Sequence, residues 1–133
     1  MMNNTLPLLD IRANTSLVYK VSRVENHPKY VCFEIAFIVE NQNIQFTHTI
    51  FEDELPVLNR LLLLEIGEYH FFEPDIYFEV KQVHETTIDI NLYLDIDLIN
   101  GIPSNDKYKS YDMVVDKKSF IQLIEFLMYH LKN

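Results

Sequence analysis

One stretch near the end of the chain, Tyr108 to Asn133, leaves little choice of architecture, because a strand in it turns directly into an amphipathic helix. Within Lys109–Asp116 the residues Tyr111, Met113 and Val115 alternate with Ser110, Asp112 and Val114, the period of two shown by a sheet strand with one buried face. Asp116 ends that strand. Its carboxylate can accept from the free backbone N–H groups two or three residues on and carries the sign a helix N-terminus favours, so an N-cap is expected there. Phe120, Leu123, Ile124, Leu127 and Leu131 then recur on one helical stripe, with Gln122, Glu125 and His130 off it. Burying each such side chain is worth roughly 1.5–3 kcal/mol. The helix must lie on a large apolar surface, and the rest of the chain can supply that only as a sheet.

The upstream residues read accordingly. Ser16–Val24 is a first strand, with Leu17, Tyr19 and Val21 on one side, and Asn26, His27 and Pro28 break it. Tyr30–Glu40 places Val31, Phe33, Ile35, Phe37 and Val39 on one face; Asn41–Asn43 turns the chain, and Ile44–Phe51 returns with Ile44, Phe46, His48 and Ile50 aligned. Glu52, Asp53 and Glu54 then suit a helix N-terminus, which predicts a helix over 53–66 with Pro56 in its first turn, Leu55, Leu58, Leu61, Leu62 and Glu65 on its buried side, and Gly67 at C′. Asp75–Val83 and Thr87–Leu98 form an antiparallel pair. In the second, Ile88, Ile90, Leu92, Leu94, Ile96 and Leu98 alternate with Asp89, Asn91, Tyr93, Asp95 and Asp97. Met1–Asn14 reads as an arm or short edge element, and Ile99–Tyr108 as a loop. The expectation is one α+β domain over residues 1–133, built on a single, mostly antiparallel sheet of about six strands in the order βββαβββα. Both helices would cover one sheet face and leave an acidic face open.

Charge narrows the function. The net charge is −9, and between Glu34 and Asp106 fifteen carboxylates face only Arg60 and Lys81. Such a field repels nucleic acid and anionic lipid and attracts a cation or a basic protein. No apolar run approaches the length of a membrane span, and the first residues lack the pattern of a secretory leader, so a cytoplasmic location is expected. The lone Cys32, in mid-strand, reads as a small buried hydrophobe.

Enzyme and metal patterns are poorly met. His27, His48, His70, His84 and His130 form neither H-x-H nor H-E-x-x-H, and two glycines cannot make a phosphate loop. Asp95, Asp97, Asn100, Gly101 and Asp106 have the outline of a calcium loop, but Ile99 stands at the fifth place, the glycine is one residue late and the twelfth carboxylate is Asp. No catalytic residue, cofactor or metal ligand is assigned. The candidate partner-binding residues are Glu79, Asp89, Tyr93, Asp95 and Asp97, with Glu52, Asp53 and Glu54 as a second acidic patch. Tyrosine among carboxylates is the composition of a surface for a basic protein.

From Phe46 to Asn133 the pattern resembles the small immunity proteins of the WapI type. The likeness runs from Gln45–Phe51 into Glu52-Asp53-Glu54-Leu55 and the Leu-rich helix, resumes in Ile76–Lys81 and Thr87–Leu94, and ends with Val115-Asp116 leading into Phe120, Leu123-Ile124 and Phe126-Leu127. The resemblance implies a non-enzymatic protein of the cytoplasm that binds and blocks the C-terminal toxin domain, often a nuclease, of a cognate secreted protein. It transfers no site residue, because the matching positions are core and cap. The alternatives are an interaction module that dimerises through an edge strand, and a small-molecule site near His48 and Tyr69–Phe72.

Overall fold

A computed structural model describes residues 4–12 and 15–133. Its strands are β1 (Thr5–Leu9), β2 (Thr15–Asn26), β3 (Lys29–Val39), β4 (Gln42–Phe51), β5 (Gly67–Tyr69), β6 (Ile76–Val83), β7 (Thr87–Leu94) and β8 (Lys109–Asp116). A 3-10 turn (Glu52–Glu54) leads into helix α1 (Leu55–Leu62); the short α2 (Ile96–Ile99) follows β7, and α3 (Lys117–Lys132) follows β8. The class is α+β with antiparallel pairing throughout.

The expected single sheet is two. Strands β1-β2-β3-β4 make a first sheet and β5-β6-β7-β8 a second, each in sequence order. Among the described residues, an isolated bridge from Asp10 to Val115 joins them, with the Ile11 N–H donating to the Val114 carbonyl at 2.8 Å. Alternation tells which side of a strand is buried and nothing about which strands pair, so six alternating segments read equally well as one sheet or as two. Two short strands complete the sheets. Of the two readings of residues 1–14, an arm or a short edge element, β1 takes the second, with Leu8 fully buried; residues 1–3 and 13–14 fall outside the described residues. β5 is three residues long, too short to show a period.

The inner faces and α3 form one apolar cluster that includes Leu17, Phe33 and Phe37 from the first sheet and Phe78, Leu92 and Met113 from the second. Phe37 meets Tyr111 edge-on at 4.8 Å, and Phe33 meets Phe126 of α3 at 6.1 Å. The helices therefore do not cover one face of one sheet: α3 touches β1, β3, β7, β8 and α1. This explains why its buried surface adds Phe126 and Met128 to the predicted stripe. Its start is as the sequence implies, with the Asp116 carboxylate accepting from the Ser119 N–H at 3.1 Å.

Two other expected bounds move for local reasons. α1 stops at Leu62, because Leu64 takes the left-handed conformation at φ 58° and closes the turn, while Gly67, at φ 146°, opens β5 instead of capping the helix. The strand expected to reach Leu98 stops at Leu94. Asp95 caps α2 there by accepting from the Leu98 N–H at 3.1 Å, which makes Ile96 and Leu98 helical.

Candidate functional site

Buried residues on β6 and β7 alternate as Ile76, Phe78 and Val80 and as Ile88, Ile90, Leu92 and Leu94, so the residues between them face outward. Cross-strand pairing then sets Tyr77 beside Tyr93 and Glu79 beside Asn91 on β6 and β7, and Tyr93 beside Ser110 and Asn91 beside Asp112 on β7 and β8. On the other side of β6, Glu68 stands directly opposite Glu79. Like charges facing one another across strands destabilise a sheet.

Aromatic rings form the spine of this face. Tyr77 and Tyr93 stack at 4.5 Å with planes 9° apart, His70 stacks on Tyr77 at 4.1 Å, and Tyr108 meets Tyr77 edge-on at 4.9 Å. The Tyr93 hydroxyl donates to Glu79 at 2.7 Å, and the Asn91 amide donates to Glu79 at 3.3 Å and to the Tyr93 oxygen at 3.2 Å. The bond to Glu79 raises the Tyr93 pKa, and burial followed by the charge of Glu68 raises that of Tyr77, so both rings stay neutral donors. The polar partners at the margin are exposed: His70 with Glu68 at 2.9 Å, His84 with Asp89 at 3.2 Å and Lys81 with Asp112 at 3.6 Å. Pairs of this kind add little stability and leave the carboxylates open to a partner.

Of the predicted site residues, Glu79, Asp89 and Tyr93 come together here. Asp97 sits off the sheet on α2, where Asn105 donates to it at 3.1 Å. Asp95 is 1% exposed, capping α2 and accepting from the Ser104 hydroxyl, so it is a fold residue and cannot belong to a surface. Glu54, also 1% exposed, accepts from the N–H groups of Phe51 at 2.8 Å and Phe72 at 2.5 Å. Glu52 and Asp53 are exposed but line a separate depression with Lys29 and Lys132. The second acidic patch is thus reduced to two carboxylates among basic neighbours.

Glu68, Tyr108 and Asp112 are not among the residues expected here, and His70 is expected only in the aromatic loop of the small-molecule alternative. Asp112 already alternated outward with Met113 and Val115, but only the β7–β8 register brings it beside Asn91.

His48 is fully buried, with Nε2 at 3.0 Å from the Glu73 carbonyl and its ring edge-on to Phe71. Burial holds its pKa below the usual value. Tyr69 and Phe71 are both core side chains. Among the described residues no group of three or more His, Cys, Asp or Glu is arranged to hold a metal ion, and no helix is long and apolar enough to cross a membrane.

Comparison of the chain with protein-family models, with curated proteins and with solved structures finds no match.

Proposed function

We propose that the chain is an acidic binding protein whose outer β5–β8 face docks on a basic protein, and that it serves as an immunity protein neutralising a cognate toxin domain. One observation carries the reading: Glu68 and Glu79 stand opposite each other beside the Tyr77–Tyr93 stack, with Asp89 and Asp112 on the next strands. A sheet face selected only for folding would set opposite charges across strands. A face selected to meet a basic groove keeps its carboxylates unneutralised and gains faster encounter. The resemblance to WapI-type proteins gives the toxin its place, since nuclease toxin domains present basic grooves to their substrates. Binding is the whole activity on this reading, with no catalytic step and no cofactor.

Co-expression with a toxin domain encoded beside this chain tests it, scored by growth rescue and by binding at two salt concentrations. Rescue with tight binding that weakens as salt rises is the expected result. Absence of both rescue and binding contradicts the proposal.

A second reading has its own observation. The outer face of the β1–β4 sheet exposes Leu9 at 60% and Ile38 at 41%, both flanking Ser16, with Pro7, Val18 and Ala36 in the next row. A second copy of the chain covering this face would make a homodimer that leaves the acidic face free. Sedimentation equilibrium distinguishes the two states.

A further inference from the structure

The aromatic spine stops one place short of the sheet edge. Tyr77 and Tyr93 are directly opposite on β6 and β7, and their 4.5 Å separation is close to the spacing between neighbouring strands, so the stack runs across the sheet from strand to strand. His70 occupies its first place, Tyr77 the second and Tyr93 the third. The next strand in that direction is β8, and the residue opposite Tyr93 is Ser110, exposed and too small to reach over the ring. Among the described residues no ring and no cation lies over that side of Tyr93. The fourth place of the stack is open.

Chemistry at its rim favours one kind of occupant. Asp112 lies two residues along β8 from Ser110 with its side chain 67% exposed and 3.6 Å from the Lys81 ammonium, while the Arg12 guanidinium donates to its backbone carbonyl at 3.3 Å. Glu79, bonded to the Tyr93 hydroxyl, adds negative charge beside the ring. A flat cation is attracted by the face of an aromatic ring and can at the same time give a fork of N–H donors to a carboxylate. Arginine has that shape. Lysine brings a compact, strongly hydrated charge that neither stacks nor forks.

We infer that the acidic face reads an arginine of its basic partner, whose guanidinium stacks on the open side of Tyr93 above Ser110 and donates to Asp112. The inference rests on the reading of this face as the docking site for a basic protein. It adds to general charge attraction a preference between the two cationic side chains.

Two capped peptides of equal length and charge, one carrying three arginines and the other three lysines, separate the two ideas. Each is titrated at low salt into the isotope-labelled protein, following the Tyr93 ring and the Ser110 amide by NMR. The arginine peptide should shift both signals and bind about two- to fivefold more tightly than the lysine peptide. In Ser110→Tyr, which fills the open place, and in Tyr93→Leu, which removes the platform, the two peptides should bind alike. Equal affinity for the wild type overturns the arginine inference while leaving the acidic face as a docking site. A preference that survives in both variants overturns it as well. If neither peptide moves any signal of this face, both the inference and the docking reading fail.

Discussion

Across the middle of the β1–β4 sheet the outward residues are Pro7, Val18 and Ala36 in one row and Lys20 opposite Glu34 in the next, so its two charges neutralise each other across adjacent strands. Across the β5–β8 sheet the corresponding rows hold Glu68 opposite Glu79 and Tyr77 opposite Tyr93, with Asp112 beside Asn91. Both sheets bury the same kinds of inward residues in one cluster. Inward alternation is thus a folding device common to the two, and the sheets differ in the residues between. One outer face sets opposite charges across strands and the other sets like charges, an arrangement that costs stability.

The strongest way to break this comparison is to show that the sheets do not share a core. Phe126 on α3 meets Phe33 of the first sheet, and α3 also touches β7 and β8 of the second. Phe126→Ala should cost about 3–5 kcal/mol. In denaturant, signals from both sheets should disappear in a single transition; loss of one sheet before the other would mean two separate cores.

Next in size is the separation of structural from surface carboxylates. Glu54→Ala leaves the N–H groups of Phe51 and Phe72 without their acceptor, at a cost of about 1–3 kcal/mol each way the site is left unpaired. Thermal unfolding should show that loss, and the association rate of the folded variant with a basic partner should not change.

A pH effect sharpens the same boundary. His48 is neutral in the fold because burial lowers its pKa, whereas the unfolded chain takes up the proton near pH ~6.5. Its contribution is fully present above that value and is lost as pH falls toward the lowered folded pKa. Stability measured by denaturant should therefore decline between about pH 7 and pH 5, and His48→Gln should flatten that decline.

The smallest effect is the most specific to the comparison. Glu68→Gln removes the like-charge pair with Glu79 and should stabilise the fold by about 0.2–1 kcal/mol, while slowing association with a basic partner. A variant that is both more stable and a better binder would show that the repulsion has no part in docking.

Much of this was legible in the residues. Every inward position of β3 and β7, the Asp116 cap and the main stripe of α3 follow from alternation and capping chemistry that act over a few residues. Pairing did not follow, because Tyr93 reaches Tyr77 through a hairpin but reaches Ser110 only through a strand more than a dozen residues on. Charge counting misled for a related reason. Asp95 and Glu54 look like surface acids in a sequence, yet both are drawn inward by backbone N–H groups that must be satisfied where a strand meets a helix. The Asp95 that seemed to continue an acidic stripe is what ends the strand.

The central claim is that the outer face of the β5–β8 sheet receives a basic partner. Its most direct test is the association rate with a candidate basic toxin domain, measured against ionic strength for the wild type and for Glu79→Lys combined with Asp89→Lys. Glu34→Lys on the other sheet serves as the control. The double variant should associate at least about tenfold more slowly at low salt, with a flatter salt dependence, and the control should stay close to the wild type. Equal slowing in both variants, or in neither, would contradict it.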